Sequence, residues 1–309
     1  MMKNAYLICA HAYYDQLYNL VFLLNSQNND IYIHINAKSK MPDIDMLQQI
    51  CTKSRIYFVD RIPMEWGESG LLRAQIILLE KATKQGYDYY HLLSGQDLPI
   101  KSNTEIDAFL EGNKFNNLSK QRRCNYINVI KQENNRRRTL VAQNNLFVKN
   151  WRCKNVIIRK SLKFINYLFV GGQLLVGYDR FKNDRIELCY GQPWWSITND
   201  AALYVLDHKT WLIDRFSKGV FGSDEVAIQT LIYNSPLRDT LYKNHDGLYV
   251  NLMKLDFNRG NGMGSPYVWR NNDYDELINS DCLFARKFDG TLDGAIINRI
   301  SNYIKKEDV

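Results

Sequence analysis

Apolar residues recur along the first hundred positions in two alternating rhythms. Ala5–Ala10 is an apolar run of strand length, and Tyr14–Asn25 sets Leu17, Leu20, Val21 and Leu24 on one face of a helix. Asp30–Ile35 alternates like a second strand, and Ser54–Val59 offers a third. Ser69–Ala82 repeats Leu71, Leu72, Ile76 and Leu79 at helical spacing, with Gly86 beyond its end. Tyr89–Leu93 then reads as another strand. Strands alternating with helices predict an α/β fold with a mostly parallel central sheet flanked by helices.

The rhythm changes after Thr104–Leu110, a short helix. The next stretch is rich in Asn and Arg and weakly periodic, which predicts a loop-rich basic insertion. Within it, Trp151–Val170 interleaves Arg152, Lys154, Arg159, Lys160 and Lys163 with Val156, Ile157, Ile158, Phe164, Ile165, Leu168 and Phe169, an amphipathic pattern. Order returns with a strand over Gln192–Thr198 and helices over Asp200–Asp207, Ser223–Tyr233 and Gly290–Ile304. Neither an internal repeat nor a low-complexity linker interrupts the 309 residues, so a single domain is expected.

Charge sharpens this picture. Lys114–Lys163 holds 14 Lys/Arg against one acid, Glu133, or +13 of a net +7, which leaves the remainder at about −6. Such asymmetry implies an anionic partner. Six scattered cysteines (Cys9, Cys51, Cys124, Cys153, Cys189, Cys282) form no C-x-x-C pair and read as reduced, packed thiols. No run approaches eighteen apolar residues, and Met1-Met2-Lys3-Asn4 leads straight into a strand. A cytoplasmic protein is the expectation.

Four segments could carry chemistry. His91–Ser102 (HLLSGQDLPIKS) ends an apolar strand in a Ser-Gly turn bearing a lone acid, Asp97, at the edge where open α/β sheets bind ligands. Asp97 could equally cap the helix after Pro99. Gly191–Thr198 carries Trp194 and Trp195, which either fill a core or flank a sugar groove. Gly222-Ser223-Asp224-Glu225 opens a helix with two acids, as dipole complements or as a general base aimed at a cleft. Cys282–Asp289 places Arg286 and Lys287 side by side, either as a solvated turn or as a clamp on a pyrophosphate.

Taken in order with Trp66-Gly67, these segments resemble the core-2/I-branching β-1,6-N-acetylglucosaminyltransferase and xylosyltransferase family over roughly residues 5 to 300. The resemblance implies a glycosyltransferase-A-type fold. It divides the chain into a nucleotide-sugar-binding half (1–112), the basic insertion (113–190), and an acceptor and catalytic half (191–309). It implies inverting transfer of a sugar, N-acetylglucosamine by preference and xylose as the alternative, from a UDP donor to a glycan or lipid-linked oligosaccharide. Glu225 becomes the catalytic base. Lys287, Arg286, Asp97, Ser94, Gly95, Asn36 and His11 become donor contacts, and Trp194, Trp195 and Asp224 acceptor contacts. The family's second phosphate cation falls on Arg259 or Arg270, neither aligning cleanly. Asn36 is a departure, since relatives carry aspartate after the histidine of His34-Ile35-Asn36.

The resemblance also implies that no metal and no other cofactor is required, although most enzymes of this fold hold a divalent ion with Asp-x-Asp. That tripeptide occurs here as Asp43-Ile44-Asp45 and Asp273-Tyr274-Asp275, neither after an apolar strand, so both read as surface turns or helix starts. Arg136-Arg137-Arg138 and the amphipathic stretch could rest peripherally on anionic lipid at the inner face of the cytoplasmic membrane, wall the donor, or be solvated. A separate class, a nucleic-acid-binding protein stacking bases on Phe147, Trp151 and Phe164, requires the ordered motifs to be incidental and is set below the enzyme. No nucleic-acid partner is expected.

Overall fold

The computed structural model describes residues 2–117, 120–131, 135–260 and 264–307; the side chain of Arg136 and, in the loop between Arg259 and Arg270, residues 261–263 lie outside that description. The first half runs β1 (Asn4–Ala10), α1 (Tyr14–Leu24), β2 (Asn29–Ile35), α2 (Ile44–Ile50), β3 (Arg55–Phe58), α3 (Gly70–Ala82), β4 (Tyr89–Ser94), β5 (Asp97–Pro99) and α4 (Asn103–Gly112). The middle comprises β6 (Lys114–Asn117), β7 (Lys120–Arg123), β8 (Tyr126–Ile127), β9 (Ile130–Lys131), α5 (Asn135–Ala142), α6 (Val156–Leu175) and β10 (Cys189–Tyr190). The last part holds β11 (Trp195–Thr198), α7 (Asn199–Asp207), α8 (Lys209–Phe216), α9 (Ala227–Tyr233), β12 (Met253–Lys254), α10 (Tyr274–Ile278), β13 (Phe284–Arg286) and α11 (Gly294–Glu307).

The central sheet has the order β3-β2-β1-β4-β11-β8. Its first four strands are parallel, whereas β11 runs antiparallel to both β4 and β8. Every residue of β1, β2 and β4 is buried, as strands covered on both faces must be. All four predicted residues of α1 are buried, and in α3 Leu72, Ile76 and Leu79 are buried while Leu71 packs at the edge of the core.

Three expectations change. The basic insertion is less loop-rich than its composition suggests, since β6 and β7 pair as a hairpin, β8 joins the central sheet and α6 runs for 20 residues. The helix expected over Ser223–Tyr233 is broken: Ser223–Glu225 forms a separate 3-10 turn before α9, so the acidic pair sits on its own short element. The helix after Pro99 is capped by Ser102 rather than Asp97: Ser102 Oγ accepts from the Glu105 amide at 3.1 Å, and Glu105 Oε2 accepts from the Ser102 amide at 2.7 Å. Asp97 is thereby left for another task. Of the Asp-x-Asp pairs, Asp43 caps α2 through the Met46 amide and Asp273 precedes α10, as expected of helix starts.

Candidate active site

The carboxyl ends of the neighbouring strands β2, β1 and β4 converge at one sheet edge, the position where parallel sheets expose backbone to a ligand. The Asn36 amide donates to Ala10 O at 2.9 Å and the Gly95 amide to Cys9 O at 3.1 Å, which draws the three ends together. Gly95 is needed for this closeness, because a Cβ there would lie 3.0 Å from the Ala10 Cβ. His11 stands at the tip of β1. Desolvation there, then the charges of Arg286 and Lys287, lower its pKa, so it is a neutral imidazole at pH 7.

A small sheet, β12-β13-β5, delivers the cations to this edge. β13 pairs antiparallel with β5 in a register that sets Arg286 opposite Asp97. Arg286 Nη1 donates to Asp97 Oδ1 at 2.7 Å and also to Ser94 Oγ, while Asp97 Oδ2 accepts from the Ser94 amide at 2.7 Å. Asp97 is fully buried, and burial raises its pKa against the opposing pull of Arg286 and Ser94. The guanidinium also lies 4.7 Å from the Trp194 ring centre, a cation–π contact. Asp97 and Ser94 therefore hold Arg286 in place.

Lys287 is arranged differently. Its backbone is pinned, with Trp269 N donating to Lys287 O at 3.0 Å and Phe288 N to Gln96 O at 2.9 Å. Its side chain is half-buried and forms no ion pair among the described residues. Burial and the adjacent Arg286 lower its pKa against the opposing pull of Asp289. Arg259 is unsuited to that role: Asp256, Asp273 and Glu276 surround its guanidinium at 2.5, 2.9 and 2.8 Å. The partly buried Arg270 donates its backbone amide to Asp273 Oδ2 at 2.8 Å, on the same surface.

Asp224 and Glu225 also lie by the end of β1, close enough for Asp224 to act on Cys9. Their turn is tied down by the Gly222 amide, which donates to Gly67 O at 3.0 Å, and Gly222 itself has φ +68, a conformation glycine adopts freely. Asp224 and Asp97 both bear on the buried Cys9 thiol, whose pKa is pushed up to about 12 by burial and then by their charges. Burial raises both carboxyls of the turn, but in different ways. Asp224 is raised further by the charge of Glu225, whereas Tyr190 and Arg137 pull Glu225 back. The Tyr190 hydroxyl donates to Glu225, and Arg137 lies 4.5 Å above the Tyr190 ring. The Tyr190 hydroxyl and the Arg137 charge thus favour the ionised form of Glu225, the form a general base needs.

An aromatic wall extends from this turn. Trp66 meets Phe221 edge-on at 5.0 Å, Trp151 stacks on Phe221 at 5.1 Å, and Arg152 covers the Trp66 ring at 3.6 Å. Trp195 is not part of any cleft surface: at 1% exposure it fills the core beside β8, correcting its assignment as an acceptor contact. Sequence reading also missed Tyr190, and it named Arg137 only as part of the Arg136-Arg137-Arg138 run, without its link to Glu225. Trp66 and Trp151 were visible as residues but not as neighbours.

Asn36 explains its own departure from the relatives' aspartate. Its Nδ2 donates to Met64 O at 3.0 Å while Oδ1 accepts from the Met64 amide at 3.2 Å. Only an amide can do both, so the residue clamps the loop leading to Trp66. Asn36→Asp should cost about 1 kcal/mol, read as a lower denaturation midpoint at constant m; an unchanged midpoint would refute the clamp. A cavity of about 590 Å³ also opens at the opposite sheet edge around Lys3, Asp88 and Arg123. Its Arg123 is already paired with Asp88, and it lies away from the converging strand ends.

The two sides of the cleft suit a reaction in which a leaving group gains negative charge as an incoming hydroxyl loses its proton. The fold, a mostly parallel sheet flanked by helices, is of the glycosyltransferase-A type. The Core-2/I-Branching enzyme family model matches residues 4–263, and the chain belongs to that family. No curated protein matches the chain. Among solved structures, it is similar to Core-mannan synthase A from Aspergillus fumigatus in its Mn/GDP form, at 11% identity and TM-score 0.31, over 82% of this chain and 71% of that one. It is also similar to mouse xyloside xylosyltransferase 1 in its apo form, at 8% identity and TM-score 0.31, over 91% and 96% respectively. Likenesses at that level bear on neither substrate nor mechanism.

Proposed function

We propose that this glycosyltransferase moves N-acetylglucosamine from a UDP donor, with inversion and without a metal ion, to a hydroxyl of a glycan or lipid-linked oligosaccharide. Glu225 takes the proton from the acceptor hydroxyl as its oxygen bonds to the anomeric carbon. The bond from that carbon to the UDP oxygen breaks on the opposite face, and Lys287 with Arg286 receives the charge growing on the pyrophosphate. The observation carrying this reading is that acids and cations meet at the end of β1, where Cys9 feels the charges of Asp224 and Asp97 and His11 feels those of Arg286 and Lys287.

The donor set argues against a divalent ion. The strand end that would supply carboxylate ligands offers only Asp97, whose two oxygens are committed to Arg286 and the Ser94 amide. A hard cation wants free carboxylate oxygens there, beside phosphates; the fold presents guanidinium and ammonium instead. UDP release with a panel of UDP sugars, with and without EDTA, tests the proposal. UDP-N-acetylglucosamine should turn over fastest and EDTA should leave the rate unchanged. Loss of turnover in EDTA would overturn the metal-free step, and a preference for UDP-xylose would replace the donor.

A further inference from the structure

Helix α6 is attached to the protein by the wrong face. A helix on a soluble domain turns its apolar stripe inward, but here the inward contacts are polar. Asn166 is the one buried residue of α6. Its Oδ1 accepts from the Leu146 amide at 2.7 Å, and its Nδ2 donates to Asn145 Oδ1 at 3.3 Å. Two turns on, Gln173 brackets Asn144, accepting from its amide at 2.9 Å and donating to its carbonyl at 2.9 Å. On the opposite side, Ile157, Phe164, Leu168 and Leu175 follow each other at spacings of seven, four and seven, which is one face of a helix. They are 77, 61, 57 and 90% exposed.

Charge says what covers that face. From Arg137 to Tyr178 the chain has eight Lys/Arg and no Asp or Glu. Lys160 and Lys163 are exposed beside the apolar stripe, where their stems can reach past buried methyl groups toward phosphate. A second copy of the chain presenting this same face would set cation against cation. Nor does the stripe suit nucleic acid: Ile157, Leu168 and Leu175 are aliphatic, so three of its four members have no ring on which a base could stack. No helix among the described residues is long and apolar enough to cross a membrane. We infer that α6 lies in the headgroup layer of an anionic membrane, with its 157–164–168–175 stripe in the acyl boundary and its lysines on lipid phosphates.

The consequence for the site rests on the transfer reading above. Leu146, which Asn166 holds, also accepts from Trp151 Nε1 at 3.1 Å, and Trp151 stacks on Phe221, the residue before the Gly222 turn. Seating α6 therefore holds the Glu225 side of the cleft at the bilayer surface, where a lipid-linked acceptor presents its hydroxyl.

Co-sedimentation with vesicles of phosphatidylcholine plus phosphatidylglycerol, against phosphatidylcholine alone, tests the docking. Wild type should pellet with the anionic vesicles. Phe164→Glu/Leu168→Glu should weaken binding on the order of a hundredfold, and Lys160→Glu/Lys163→Glu about tenfold with loss of the anionic preference. All four positions are exposed, so thermal melts should match wild type, as should turnover on a soluble acceptor. A wild type that stays in the supernatant, a Phe164→Glu/Leu168→Glu variant that pellets normally, or a lipid-free dimer that this variant dissolves would each overturn the inference. Vesicle binding without UDP release from any UDP sugar would keep the docking and remove the transfer reading; UDP release without vesicle binding would do the reverse.

Discussion

Glu225→Gln should lower kcat by about a thousandfold, within the range of 10²–10⁴ for loss of a positioned base, with little change in UDP-sugar KM. Glutamine keeps the shape of the side chain and its contact with Tyr190 but cannot take a proton. The wild-type rate should also fall on acidification through a pH above the ordinary carboxylate range, because burial raises Glu225 and the base works only when ionised. That apparent value belongs to the Asp224–Glu225 pair rather than to either acid. The residual activity of the glutamine variant should lack this acid limb. Full activity in the variant, or an unaltered pH profile, would move the base elsewhere.

The second large effect is on stability. Asp97→Asn should destabilise the fold by about 3 kcal/mol, the low end for breaking a buried ion pair, because Arg286 keeps 17% of its side chain exposed. The loss comes from stranding the guanidinium between Ser94 and Trp194 without its counter-charge. Denaturant titration should show a lower midpoint at constant m. In a double-mutant cycle with Arg286→Gln, the pair should couple by more than about 1 kcal/mol. A loss below about 1 kcal/mol would mean that water, not Asp97, balances Arg286. The same variant should bind UDP more weakly, since Arg286 is no longer aimed at the strand ends.

Periodicity made the first hundred residues readable. In β1, β2 and β4 the apolar runs are uninterrupted because both faces are covered, and in α1 the stripe Leu17-Leu20-Val21-Leu24 has one possible partner, the core. Legibility fell where tertiary pairing decides. Nothing local says that Asp97 answers a residue 189 positions away, or that Trp195 fills the core while Trp194 meets a guanidinium. The pattern of Trp151–Val170 announced an amphipathic stretch but neither the 20-residue helix it forms nor which face looks outward, because composition is indifferent to direction. Helix α8 was missed as well, since Lys209–Phe216 buries only Leu212 and Phe216. Of the site, the motif residues were found, but Tyr190 and the link from Arg137 to Glu225 were not: they act through a neighbour's pKa, which leaves no trace in spacing.

The Asp97–Arg286 pairing also sets a timetable. A ribosome adding 5–20 residues per second takes about 10 to 40 s to cover the 189 residues between the two side chains. Throughout that interval the nascent first half carries an acid at a position the finished fold seals from water. Neither solvent nor a nearby cation can be dispensed with until β13 arrives. The two partners of that buried pair are therefore synthesised far apart, and β5 gains its counter-charge only once β13 has been made.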